Sequence, residues 1–430
     1  MKLYSTNNKE NIVDLKTAVL NGLAEDEGLF MPTKIPKMKK EFFENIEKLS
    51  FQEIAFEAAK QLLSEDISAK KLKQIIDEAI NFDAPLVKLE EHIYCLELFH
   101  GPTLAFKDFG ARFMSRLISY FNKEETLILV ATSGDTGSAV AHGFYNIPGI
   151  KVVLLYPSAK VSQIQEQQLT TMGGNIQALE IKGNFDDCQT LVKQAITDPD
   201  LNKILNLSSA NSINIARLIP QSFYYFYAYA QIKKINKKPL AICVPSGNFG
   251  NLTAGLIAKK MGLPIKKFIA ATNANDPFPI FLQTGHFKPK DSVKTLSNAM
   301  DVGNPSNFVR ILELYKFNLE NIRKEIESKS YNDEKTLETM REVYQNSDYI
   351  LDPHGAIGYM GIKDFVKNHN KYCGIFLETA DPSKFTDIVN KAIGVNPPMP
   401  KRLKKCLDKE KKSIILSNQF NDLKTFLFRI

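Results

Sequence analysis

Ser246, Gly247, Asn248, Phe249, Gly250 and Asn251 follow a short apolar run at 241–244 and precede a helix-like stretch at 253–261. Two glycines let the backbone approach an anion closely, and a helix start aims its free N–H groups and positive dipole end at the same place. The segment reads as a phosphate cup. It lacks the terminal Gly-Lys-Ser/Thr of a P-loop and is not the G-x-G-x-x-G of a dinucleotide fold, so it suits a ligand with a single phosphate. Residues 100–110 run into a helical pattern with Phe109, Phe113, Leu117 and Phe121 four apart. Lys107 then lies at a helix start, where the dipole disfavours a cation and apolar neighbours desolvate it. Both effects favour the neutral amine that Schiff-base chemistry requires. Such a lysine together with one anchored phosphate is the signature of pyridoxal 5′-phosphate.

Two further loops carry free hydroxyls. In residues 132–137, hydroxyls and backbone N–H groups at another helix start can take a substrate carboxylate, and Asp135 adds a polar contact to a cofactor. Thr379 ends an apolar run at 374–377 and offers its hydroxyl to a pyridine nitrogen. Read singly, each feature also fits a plain structural role: a tight turn at 246–251, a surface lysine at 107, helix caps at Ser133 and Asp135, and a strand-end cap at Thr379.

These loops need elements to position them. Residues 1–89 read as a short strand at 2–4 followed by helices, with spaced apolar positions at Phe51, Ile54, Ala55, Ala58 and Leu62. From about residue 90 short apolar strands alternate with helical stretches, the pattern of a mostly parallel sheet covered by helices. Three units share one design, with strands at 127–131, 241–244 and 374–377 each followed by a loop of small polar residues. In open α/β sheets ligands collect beyond the carboxyl ends of the strands, so the three loops predict a shared cleft.

The 430 residues, 44% hydrophobic, suffice for two compact domains, and 24% charged residues exclude a disordered or fibrous chain. The net charge of +7 comes from 55 basic and 48 acidic residues, but only eight of the basic ones are Arg. No basic stripe interleaved with aromatics is present, so no nucleic-acid partner is expected. The Lys-rich stretch at 401–412 reads as a solvated helix face, and the aromatic stretch at 223–227 as a buried helix rather than a stacking platform. A polar start and the lack of a long apolar run predict a cytoplasmic chain with no membrane span. Five dispersed cysteines and six dispersed histidines, without CxxC or HExxH spacing, predict neither disulfides nor a metal site.

Together, residues 100–103, 106–108, 131–137, 211–217, 245–251 and 377–380, with the opening at 4–6 and 22–32, resemble the threonine synthase family of pyridoxal-phosphate enzymes. The resemblance spans nearly the whole chain in both order and spacing. It implies an α/β chain of PLP fold type II, the tryptophan-synthase-β-like fold: two open, mostly parallel sheets flanked by helices, with an N-terminal extension. The units expected are 1–89, a small α/β domain at 108–205, and a large one at 90–107 and 206–430, with the cofactor cleft between the latter two. Carried over residue by residue, Lys107 would hold pyridoxal 5′-phosphate and then move protons at the substrate carbons. Gly247, Asn248, Phe249, Gly250 and Asn251 would cradle its phosphate, Thr379 would meet its ring nitrogen, and Asp135 would stand where many relatives carry Asn. Ser133 and Thr136 would bind the substrate carboxylate, and Asn211, Ser212, Asn214 and Arg217 would help bind its phosphate. Lys160 and Ser162 are further candidates, and Arg217 also fits a bracing role. The segment from Ser297 to Phe308 resembles a family segment near the cleft, without assigned roles.

The implied reaction is a carbon–oxygen lyase reaction on a phosphate ester, turning O-phospho-L-homoserine and water into L-threonine and phosphate. The nearest rival is a phospho-lyase releasing 2-oxobutyrate from the same substrate. A sibling amino-acid dehydratase or sulfhydrylase is disfavoured by residues 100–108 and 211–217, and a non-enzymatic anion binder leaves Lys107 beside a phosphate cup unexplained. Nothing in the sequence marks a subunit interface, which leaves monomer and homodimer both open.

Overall fold

The computed structural model describes all residues from Met1 to Ile430. Its strands, in chain order, are β1 (Lys2–Ser5), β2 (Ile12–Asp14), β3 (Phe30–Pro32), β4 (Leu86–Glu90), β5 (Ile93–Glu97), β6 (Thr126–Ala131), β7 (Ile150–Pro157), β8 (Ile176–Lys182), β9 (Leu207–Ser209), β10 (Leu240–Pro245), β11 (Ile265–Thr272), β12 (Ile326–Ser330), β13 (Cys373–Glu378) and β14 (Ile414–Ser417). They form three sheets, ordered β2-β1-β3, β12-β11-β10-β13-β5-β4 and β14-β8-β7-β6-β9. The first is antiparallel. The second is parallel apart from β4 against β5, and the third is wholly parallel.

The central strands β6, β10 and β13 are buried at every residue. Runs such as Leu127 to Ala131 are continuously apolar because helices cover both faces of a parallel sheet. One apolar cluster joins Phe51, Ile54 and Leu62 of the N-terminal helix Phe51–Leu63 to Phe109 and Phe113, and on to Ile242 and Val244 of β10. The N-terminal unit is therefore part of the core that carries the site. The helix Lys107–Phe121 is held by Phe109, whose ring lies 5.8 Å from Phe51, 4.6 Å from Phe82 and 5.2 Å from Tyr224. The aromatic stretch is a buried helix, Phe223–Ile235, with Phe223, Tyr224, Tyr225 and Phe226 fully enclosed. No helix is long and apolar enough to cross a membrane.

Two elements sit differently from the sequence expectation. The resemblance places residues 206–430 in the large unit, yet β9 pairs with β6, and β14 pairs with β8, in the other sheet. The chain end crosses back because Leu423 and Leu427 of the helix Phe420–Leu427 are buried with Cys188 and Leu191 of the helix Phe185–Thr197. A four-residue strand with no glycine-rich loop after it carries no local sign of which sheet it will join.

Candidate active site

Sheet order explains why three distant segments meet. β10, β13 and β5 are neighbours in parallel register, with Cys243 opposite Phe376 and Glu378 opposite Glu97. Their carboxyl ends therefore place residues 246–251, Thr379 and the loop to Lys107 side by side. The join is direct: Phe106 N–H donates to the Thr379 carbonyl at 2.9 Å, Asp381 N–H donates to the Leu104 carbonyl at 3.0 Å, and Ala105 bridges Ala380. In the other sheet β6 and β9 are neighbours, so residues 132–137 and 211–217 share the facing edge.

The Lys107 loop is held by its own carboxylate. Asp108, fully buried, accepts from Thr103 N–H at 2.8 Å and from the Thr103 hydroxyl at 2.7 Å, with Leu104 in a left-handed conformation at φ 62°. Lys107 itself is half-buried, with its amine 4.8 Å from the centre of the Phe106 ring. Desolvation, and then the Arg217 and Lys384 cations working against Asp135, lower its pKa from the ordinary lysine value to about 8. The first effect matches the sequence argument. The two cations were not visible in it.

In residues 246–251 the helix starts at Gly250, three residues earlier than the sequence suggested. The backbone N–H groups of Gly247, Asn248, Phe249, Gly250 and Asn251 have no acceptor in the chain. Five donors at one helix start form a nest for an anion. Phe249 adopts φ 57°, an unfavourable conformation for a non-glycine residue, and its buried ring packs 4.6 Å from that of Phe278. Its side chain is an anchor; only its N–H faces the nest. The Asn248 amide links neighbouring loops, donating to the Ser212 hydroxyl at 2.7 Å and accepting from Ser306 N–H at 2.5 Å. Asn251 Oδ1 accepts from the hydroxyls of both Tyr224 and Tyr225 at 2.6 Å. Removing both hydroxyls (Tyr224→Phe with Tyr225→Phe) leaves a buried acceptor unpaired, at a cost of about 1–3 kcal/mol. The expected result is cofactor affinity reduced about tenfold with the far-ultraviolet circular dichroism unchanged, read by titrating the protein with cofactor.

Thr132 shapes the 132–137 loop, accepting from Gly134 N–H at 3.0 Å and Gly137 N–H at 2.8 Å. The capping considered for Ser133 and Asp135 thus falls to their neighbour. Ser133 and Thr136 are half-buried, whereas Asp135 is buried and bound by Lys384 Nζ at 2.6 Å and Gln165 Nε2 at 3.1 Å. Burial pushes the Asp135 carboxyl upward, but the Lys384 and Gln165 bonds outweigh it and hold it below the usual carboxylate range.

Residues 211–217 divide into two groups. Asn211 clamps the end of β6, donating to the Ala131 carbonyl at 2.7 Å and accepting from its N–H at 3.2 Å. Asn214 caps the turn Ile215–Leu218, accepts from Ala216 N–H and donates to the Val19 carbonyl. Ser212 meets Asn248, as above. Arg217 is fully buried with no carboxylate partner: Nη1 donates to the Ala210 carbonyl at 2.6 Å and Nε is unpaired, while burial lowers its pKa to about 10. Arg310, absent from the sequence expectations, is another enclosed guanidinium; it straps the Phe30, Ser212 and Ile213 carbonyls together. Ser162 caps the helix Gln163–Thr170 through a reciprocal bond with Gln165, and Lys160 is exposed.

The residues present fit pyridoxal 5′-phosphate: a desolvated, unpaired amine, a nest of five free N–H donors, and a threonine hydroxyl just past the end of β13, the strand between β5 and β10. Two open, mostly parallel sheets whose strand-end loops meet in this way define the fold type II class of pyridoxal-phosphate enzymes. Residues 80–371 match the family model described as "Pyridoxal-phosphate dependent enzyme", residues 2–80 that for "Threonine synthase N terminus" and residues 355–427 that for "Threonine synthase, C-terminal". The chain is 46% identical to the threonine synthase of Buchnera aphidicola subsp. Schizaphis graminum, over 99% of both. It superimposes on the crystal structure of Escherichia coli threonine synthase with a TM-score of 0.94 at 43% identity, over 100% of both chains. Against the PLP-bound threonine synthase of Brucella melitensis the TM-score is 0.93 at 33% identity, over 100% of this chain and 99% of that one. The chain belongs to the threonine synthase family.

Proposed function

We propose that this chain converts O-phospho-L-homoserine and water to L-threonine and phosphate, with pyridoxal 5′-phosphate as cofactor. The observation that carries the proposal is the unpaired Lys107 amine, on a loop whose Leu104 and Phe106 backbone groups bond to residues 379–381 beside the free N–H groups of residues 247–251, in a chain matched end to end by its family. When bound, the cofactor supplies an aldehyde for attachment and a ring that draws electrons from the substrate carbons, making their protons acidic. The chain supplies the rest. Residues 247–251 hold the cofactor phosphate, and Thr379 meets the ring nitrogen with a hydroxyl rather than a carboxylate. Lys107 would hold the cofactor through its amine, and the same amine would move protons at successive substrate carbons. Ser133 and Thr136, with hydroxyls on the facing edge, take the substrate carboxylate. Arg217 and Ser212 take its phosphate; Asn211 and Asn214 act by holding that loop against β6 and the N-terminal unit.

The test is to add O-phospho-L-homoserine to the purified protein and identify the organic product. Threonine equimolar with phosphate is expected. A 2-oxo acid with phosphate would replace the proposal by the lyase, and no phosphate would reject the substrate.

Attachment needs the free base of Lys107, whose pKa lies at about 8. The protonated amine has no lone pair, so the attachment rate is expected to rise with pH through that value and to level off above it. An ordinary lysine would still be climbing at pH 10. Rates of absorbance change on mixing cofactor-free protein with pyridoxal 5′-phosphate between pH 6 and 10 check this.

A further inference from the structure

We infer that Lys384 is a positioning residue that holds the Asp135 carboxylate away from Lys107 and so keeps the Lys107 amine unpaired; this rests on Lys107 being the cofactor-carrying amine. Lys384 lies in the short turn Pro382–Phe385, just beyond Thr379, and its side chain is wholly enclosed. Its Nζ is 2.6 Å from Asp135 Oδ1, on the facing sheet, and 3.0 Å from the Thr103 carbonyl, in the loop that carries Lys107. Gln165 supports the same carboxylate, and Gln168 Nε2 donates to the same Thr103 carbonyl at 3.3 Å. Two amines and one carboxylate thus share a desolvated space.

The titratable and charged groups facing Lys107 are Arg217, Asp135 and Lys384; those facing Asp135 are Lys107, Lys384 and the His354 imidazole, whose Nε2 accepts from Ala299 N–H. The Arg217 guanidinium is close to the first turn of the Lys107 helix, since a Cβ on Gly110 would lie 2.7 Å from its Nε. If Asp135 bonded Lys107, the ammonium form would be stabilised and its nitrogen would have no lone pair to offer. With Asp135 held by Lys384, Lys107 faces two cations and no bonded anion. In cofactor attachment the Lys107 lone pair would form the C–N bond to the aldehyde carbon, and the carbonyl oxygen would leave as water with the two protons of the amine.

A merely mechanical bolt between the sheets would use the same contacts, so the test must separate charge from strapping. The holoenzyme is resolved of cofactor with cysteine and reloaded with pyridoxal 5′-phosphate across pH 6–10. The wild type, Lys384→Met and the double variant Lys384→Met/Asp135→Asn are compared, and the attached residue is mapped after borohydride reduction. In Lys384→Met the released Asp135 pairs with Lys107, so the midpoint of the reloading rate should move up by at least about one pH unit, slowing attachment about tenfold at pH 7. Removing the carboxylate as well should bring the midpoint back to within about half a unit of the wild type. An unmoved midpoint in Lys384→Met would overturn the inference, as would a double variant no different from the single one. Failure of the wild type to trap cofactor on Lys107 would instead reject the assignment of Lys107, and the inference with it.

Discussion

Lys107→Ala is expected to lose covalent cofactor attachment altogether and to form threonine at least about 10⁴-fold more slowly, the scale for removing a group that is both nucleophile and proton carrier. No other amine can stand in. Lys384 is the nearest alternative, and its nitrogen is already bonded to Asp135 and to the Thr103 carbonyl in an enclosed position. The side chain is not part of the fold's support: the helix is anchored by Phe109 and the preceding turn by Asp108. Alanine at 107 should therefore leave the thermal transition nearly unchanged, and cofactor should still bind through residues 247–251 without the imine absorbance. Phosphate release, product identity and the absorbance of the loaded protein are the readouts. Threonine formation above about one per cent of the wild-type rate would mean that another residue moves the protons.

What was legible in the sequence was local. Lys107 and the 246–251 loop each sit at a strand-to-helix junction, and such junctions announce themselves through apolar runs, glycines and helical spacing. The parallel sheets followed from the same alternation. What was not legible joins residues far apart in the chain. Lys384 meets Asp135 across 249 residues, and a lysine six residues past a strand end looks like any surface lysine. Tyr224 and Tyr225 were rightly read as buried, but their hold on Asn251 is a hydroxyl geometry that an apolar pattern does not encode. Arg310 straps segments 280 and 97 residues away through backbone carbonyls, which have no sequence signature. Asn211 and Asn214 show the converse: the resemblance offers them to a substrate phosphate, and the fold gives their amides to the backbone. Residue chemistry pointed to the cleft, while the charges that tune it depended on sheet order.

Sheet order also sets up a contrast between two glycines of the phosphate loop. A Cβ on Gly247 would lie 2.7 Å from Met300 Cα and 3.2 Å from the Ala299 carbonyl oxygen. Both are backbone atoms that cannot rotate away, and their segment is tied down on several sides. Ala299 N–H donates to His354 Nε2 at 3.2 Å, His354 Nδ1 is bonded to Asp352, and Asp301 is held by Asn273 and Thr295. A Cβ on Gly250, by contrast, would meet Ser212 Cβ at 3.5 Å and Asn307 Nδ2 at 3.6 Å, an ordinary contact. Gly247→Ala must therefore displace the 247–251 N–H groups from their common focus, and overpacking of this kind costs about 1–3 kcal/mol. Expressed in cofactor binding, that is a rise in Kd of about fivefold to 150-fold. Gly250→Ala is expected to change Kd by less than about threefold. Titration of both variants with pyridoxal 5′-phosphate, beside inorganic phosphate as a competitor for the same N–H groups, decides the matter. Equal affinity in the two variants would show that the close approach of residues 299–300 does not set the shape of the phosphate site.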